Sequence, residues 1–404
     1  MRKKKLINKL VFKDAAVATF ITFFLSFFIS TISFKQEFLK PFKQEFGDFD
    51  IYDLVYSSKN KQSFKRDPRI VLISYADSLG QIARQVELIK SAGPRVIAID
   101  ASFESKKDTA GIKQLKKTLS NINNLIIGSR LIYDRGSKKI SITRGIMEGA
   151  VKSENFGYIN LLGDEVSVIR NFTPSMRVAG TRELAFAAAI SLKYDAGITK
   201  KYLERKNKVE VIDYSGGQNY FTTIAGEDLS YYLLEGQLGN MLKDKIVILG
   251  YFTLKGPLVM NDIHYTPLNE RFAGRSWPDN YGIVIQANII SMILDGRHKK
   301  LGSNALSFFL AALFCFLHQL IHFRSVSRSK HPKHWKYLIT TVLFLLLVTF
   351  IFLLVFKYLH VKIPLLPIII SLILSIELIP LYQAIAKYLA KHHNYKTLIK
   401  TEPT

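Results

Sequence analysis

The chain has 404 residues, 48% of them hydrophobic, with 56 Lys and Arg against 32 Asp and Glu, a formal net charge of +24 and one cysteine. A single thiol excludes a disulfide scaffold. The basic balance would suit nucleic acid if it were spread over one face, but it gathers at the ends of apolar segments, so no nucleic-acid partner is expected and the bilayer is the partner that the composition implies.

In chain order, residues 15–34, "AAVATFITFFLSFFISTISF", carry no charge and are long enough to cross a bilayer. The basic segment 1–14 precedes them, with Arg2, Lys3, Lys4, Lys5, Lys9 and Lys13. The stretch is longer than the core of a secretory signal, and "STISFKQEF" offers no small-x-small cleavage pattern, so an uncleaved anchor is expected. Residues 35–303 then read as a folded domain, followed by three more apolar spans at 304–323, 338–356 and 363–386. Arg324, Arg328, Lys330, Lys333 and Lys336 fill the loop 324–337, and Lys387, Lys391, Lys396 and Lys400 follow in the tail 387–404. Four crossings put all three basic clusters on one face. Lys and Arg resist translocation, so that face is expected to be cytoplasmic and the domain extracytoplasmic. Cys315 falls within the second span, which leaves the domain to an ordinary hydrophobic core.

Within the domain, "RIVLIS" at residues 69–74 reads as a buried strand, and Leu79, Ile82, Ala83, Val86 and Ile89 recur at helical spacing. Gly93 and Pro94 stop that helix, and "RVIAID" makes a second strand ending in Asp100. This is a βαβ unit in an α/β fold, with Val71 and Ile97 expected in adjacent parallel strands. A helix over residues 112–119 leads to "NLIIGSR". "GYINLLGDEVSVIRNF" suggests an extended pair around Gly163 and Asp164 that ends in Arg170. "RELAFAAAISLKY" suggests a helix, and "NKVEVIDYSGGQNYF" a strand with a glycine turn and a short return. "KDKIVILGYF" is the last core strand, and "YGIVIQANIISMIL" a helix running toward the second span.

Ligands of open α/β sheets sit beyond the carboxyl ends of parallel strands. Ser74, Tyr75, Asp77, Ser78 and Asp100 lie at that edge and, with Arg170, are the candidate ligand-binding residues. Asp77 or Ser78 capping the following helix is the competing reading. No G-x-S-x-G, H-E-x-x-H or P-loop pattern occurs, so no cofactor, metal or catalytic residue is expected. Asp77, Asp100, Asp164 and Asp262, with His264 near Asp262, leave acid/base or metal chemistry open. Glu377 is an acid deep in the last span, either a functional group or a packing residue bonded to Gln383, His318 or Thr341.

The series "DPRIVLISYADS", "LIKSAGPRVIAIDASF", "GYINLLGDEVSVIR", "LKDKIVILGYF" and "YGIVIQANIISMIL", framed by one span before and three after, resembles the CHASE family, second type, the cyclase- and histidine-kinase-associated sensory extracellular domain. The resemblance implies a bacterial inner-membrane receptor whose periplasmic domain senses an unidentified small-molecule or envelope ligand and signals across the membrane. Members often carry a histidine in the last helix where this chain has Gln286, so that residue's role does not carry over. Few residues follow the fourth span, so output is expected through a signalling partner, a second copy or the membrane helices themselves. A structural envelope protein and an exported hydrolase are the alternatives.

Overall fold

A computed structural model describes residues 2–31, 50–57, 66–104, 108–161, 168–254, 262–269, 277–328 and 334–399. The chain divides into two compact units, Phe42–Lys299 and a second formed by Met1–Pro41 with Lys300–Thr404.

The first unit is a mixed α/β fold around a largely parallel sheet. Its strands are β1 (Ile70–Ser74), β2 (Val96–Ile99), β3 (Leu125–Asp134), β4 (Lys139–Thr143), β5 (Phe156–Tyr158), β10 (Thr222–Ile224) and β11 (Ile246–Gly250). They lie in the order β10-β1-β11-β2-β3, with β4 antiparallel and β5 parallel to β3. The central strands are apolar throughout because helices cover both faces. Val71, Ile73, Ile97, Ile99, Val247 and Leu249 pack with the helices Leu79–Ser91 and Thr109–Ser120. The helices Phe186–Tyr194 and Gly282–Leu294 also contact sheet strands. Every residue of Gly282–Leu294 is buried, which is why it is apolar all round.

The short pairs are β6 (Asn171–Phe172) with β9 (Glu210–Val211), β7 (Ser175–Val178) with β8 (Thr181–Leu184), and β12 (Ile263–His264) with β13 (Asn280–Tyr281).

Three sequence expectations change. β1 and β2 are parallel but not adjacent, because β11 inserts between them with Val71 beside Val247 and Val247 beside Ile97. Nothing in a local βαβ pattern encodes a strand that arrives some 150 residues later, and all five residues of β11 are buried, as its central place requires. The extended pair around Gly163 and Asp164 lies partly outside the described residues; its two described ends pair elsewhere, β5 with β3 and β6 with β9. The return strand after Gly217 is β10, which joins β1 in parallel rather than folding back on β9.

The second unit is helical. Among the described residues, Ile7–Phe28, Asn304–Ser327 and Tyr337–Leu359 are long and apolar enough to cross a membrane. The pair Leu366–Glu377 and Ile379–His393 is bent by 52°. Pro380 causes the break, since it offers no N–H and its ring crowds the carbonyl of Ile376. The first helix starts at Arg2, so its apolar window lies nearer the N-terminus than residues 15–34. It tolerates Asp14 because that carboxylate is buried and accepts from Thr397 Oγ1 (3.0 Å) and the Leu398 amide (2.8 Å). Phe12 packs edge-on against Phe316 (5.1 Å), and Val11, Ala15, Phe323, Tyr382 and Ala386 form one cluster. β14 (Lys300–Leu301) pairs with β15 (Val361–Lys362), just before Leu366.

Candidate functional site

The carboxyl ends of β1, β11 and β2 finish side by side, because Ser74 is in register with Gly250 and Leu249 with Ile99. The Tyr75 amide donates to the Gly250 carbonyl (3.0 Å) and the Asp100 amide to that of Leu249 (2.8 Å), so the side chains that follow the strands are held at one edge. A Cβ at Gly250 would lie 2.8 Å from Ile283 Cδ1 and 3.2 Å from Asp100 Cβ, so a larger residue there would have to displace the Ile283 side chain.

Asp100 is half-buried, and its carboxylate makes no hydrogen bond or ion pair among the described residues. Burial, and then the charge of Asp262, push its carboxyl up to about 8. The Tyr75 hydroxyl is pushed up to about 12, first by burial and then by Asp262, Asp100 and Tyr251. Asp262 has a left-handed backbone (φ 57°), accepts from the Gly282 amide (3.0 Å) and lies 3.3 Å from His264 Nε2. The rings of Tyr75 and Tyr251 are 6.2 Å apart and those of Tyr251 and Tyr281 6.1 Å, with the Tyr281 hydroxyl bonded to Thr253 Oγ1 at 2.7 Å. A carboxylate whose proton affinity is raised by burial and by a second acid beside it, walled by tyrosine rings, favours a cationic group.

The other candidates separate by role. Ser74 Oγ accepts from the Gly226 amide (3.0 Å), and Gln85 bridges the Ser74 carbonyl and the Ala76 amide, so this serine ties the sheet edge to the loop after β10. Ser78 is the helix cap, its Oγ accepting from the Gln81 amide at 3.3 Å. Asp77 is exposed and makes no hydrogen bond or ion pair among the described residues. Arg170 is not brought to this edge: it is paired with Asp53 through Nε (3.0 Å) and Nη2 (2.6 Å). Glu377 belongs to the helical unit, exposed at the end of its helix and bonded to none of its three expected partners. His318 instead meets Ser375 Oγ (3.1 Å) and Thr341 Oγ1 (2.9 Å). Asp164 lies outside the described residues. Sequence reasoning passed over Tyr251, although it follows Gly250 as Tyr75 follows Ser74, and the same strand-end rule applied to "IVILGYF" finds it. Among the described residues no group of three or more His, Cys, Asp or Glu is placed to hold a metal ion.

A family model described as the CHASE2 domain matches residues 23–321, nearly three-quarters of the chain. The chain belongs to the CHASE2 family. CHASE2 domains are sensory extracellular domains rather than catalytic ones, and a CHASE2 domain accompanied by apolar helices is the frame of a membrane-bound sensor in signal transduction. No curated protein matches the chain, and no solved structure does.

The raised Asp100 carboxyl has a consequence for stability. Between 3.8 and about 8 the folded state holds a proton that the unfolded chain has released, so stability falls as pH rises through that window. Asp100→Asn removes the dependence and is expected to be more stable than wild type at pH 9 by at least about 1.4 kcal/mol, the worth of one pKa unit. Urea unfolding at pH 5 and pH 9 measures this; equal stabilities at pH 9 would place the carboxylate in open solvent.

Proposed function

We propose that the chain is a multi-pass receptor of a bacterial inner membrane, with residues 35–303 on the periplasmic side and both termini in the cytoplasm. The internal contacts of the helical unit support this frame. Lys13 Nζ reaches the Lys396 carbonyl (3.0 Å), Phe12 packs on Phe316, and the ring of His322 lies 4.2 Å from that of Tyr337, so the start of the first helix, the two helix ends that flank the basic loop and the described part of the tail share one end of the bundle. The opposite end holds β14 and β15, and Ser307 Oγ bonds the Pro364 carbonyl there at 2.5 Å. The bent pair starts at that end and finishes at the other, where Tyr382 packs edge-on against Phe323 (5.3 Å), so it serves as one broken span and the crossings number four.

The observation that carries the sensing role is the half-buried, unbonded Asp100 facing Asp262 at the carboxyl edge of the sheet. The cue is a small molecule or envelope component that carries a cationic group, with Tyr75 and Tyr251 as its walls. Output passes through the membrane helices to a signalling partner or a second copy. Glu377 is the proposed contact, since an outward carboxylate near mid-bilayer costs at least about 2.5 kcal/mol unless it is paired.

Calorimetric titration of the full-length protein with small organic amines tests the site. Wild type is expected to bind, more weakly below pH 8 because the proton on Asp100 competes with the cation, and Asp100→Asn to lose at least about tenfold in affinity. Asp77→Asn, in the exposed loop, is expected to change it less. An amine that binds Asp100→Asn as well as wild type would move the ligand site elsewhere.

A further inference from the structure

Away from the sheet edge, a cavity of about 360 Å³ opens between the β7–β8 hairpin and the segment that follows the helix Ala196–Leu203. Arg177, Arg182, Lys206 and Lys208 line it, together with the buried Tyr202 and Glu210. Glu210 is already engaged, by Arg205 Nη2 (2.8 Å) and Asn207 Nδ2 (3.1 Å). None of the four cations has a carboxylate partner among the described residues. Arg177 and Arg182 are moreover direct cross-strand partners in the hairpin, where like charges destabilise the pair. Arg182, exposed like the other three cations, turns its Nε to Ser175 Oγ (3.0 Å), a neutral acceptor. Lys206 is held on the rim by a left-handed backbone (φ 54°), a conformation that non-glycine residues seldom adopt.

We infer that this cavity binds an oxyanion, most fully a phosphate ester, whose charge offsets the opposed arginines. Guanidinium forks match phosphate oxygens two at a time, the lysines add point charges, and the volume suits a small molecule. This site is independent of the crevice at Asp100. A soluble phosphate ester and a phospholipid headgroup present the same chemistry to it.

The test uses the full-length chain in nanodiscs of phosphatidylcholine, titrated calorimetrically with inorganic phosphate and glycerol 1-phosphate at fixed ionic strength. Parallel melts compare these discs with discs containing phosphatidylglycerol. Binding is expected in wild type and is expected to fall at least about tenfold in the Arg177→Gln/Arg182→Gln double variant. Heat with the free phosphates assigns a soluble ligand; a melting rise confined to phosphatidylglycerol discs, and lost in the variant, assigns a headgroup. Without ligand the variant is expected to melt at the same temperature as wild type or higher, because the repulsion is gone. Three results would overturn the inference: no response of wild type to either source, equal responses of wild type and variant, or a variant that melts lower without ligand, which would give the arginines to hairpin stability alone.

Discussion

Val71→Asp is expected to abolish the cooperative unfolding of the α/β unit. Val71 has no exposed surface, lies between Thr222 of β10 and Val247 of β11, and packs in the cluster that joins the sheet to the helix Leu79–Ser91. A carboxylate there either stays charged at a cost of several kcal/mol or takes up a proton and still leaves polar atoms unbonded. The net stability of a domain is only about 5–15 kcal/mol, so one such group removes much of it. Ile97→Asp is expected to behave alike, since Ile97 is in register with the same Val247. Near-ultraviolet circular dichroism of the full chain in detergent reads the transition, and a normally melting Val71→Asp protein would refute the strand assignment.

Asp213→Ala is expected to cost about 3–5 kcal/mol, the usual penalty for removing one partner of a buried ion pair. Asp213 is 4% exposed; its carboxylate takes Arg297 Nη1 at 3.0 Å and faces Lys299 Nζ at 3.5 Å. Lys299 is 5% exposed, and burial lowers the proton affinity of its amine while Asp213 sustains it. Loss of Asp213 therefore leaves a buried ammonium beside a guanidinium. Two segments far apart in sequence meet at this position. Residues 295–299 precede the second span, and Tyr56, from the short helix Asp53–Ser57 after the first, packs edge-on against Tyr214 (6.2 Å), its phenol pushed up by burial and by Asp213. A double variant, Asp213→Ala with Lys299→Met, is expected to recover part of the loss, since the buried ammonium goes with the lysine. Urea unfolding measures both. A single variant within about 0.5 kcal/mol of wild type would show that the pair carries no stability.

These two sites also show what could be read from the chain. Ile70 to Ser74, the cap at Ser78, the face Ile82, Val86, Ile89 and the stop at Gly93 are local signals, and each element stands where its residues place it. Asp100 followed from the same logic, because a parallel strand must end at the edge where its neighbour ends. Long-range pairing was not legible. Arg170 meets Asp53 across 117 positions, Asp213 meets Arg297 across 84, and β11 enters the sheet between strands that are closer to each other in sequence. Such contacts are chosen by packing of the whole domain rather than by any short pattern. The bend at Leu378 was in reach, since Pro380 and the acid Glu377 mark it, but a long apolar run hides a break when it is read by hydropathy alone.

Thiol labelling in intact cells tests most directly the claim that the sensory domain and the termini lie on opposite sides of the membrane. In a Cys315→Ala background, single cysteines replace Arg135, exposed in the turn between β3 and β4, and Ser327, exposed at the end of the second long helix. A membrane-impermeant maleimide is expected to modify Arg135→Cys in intact cells and Ser327→Cys only after lysis. Equal modification of both in intact cells, or modification of Ser327→Cys alone, would contradict the arrangement and with it the proposed receptor.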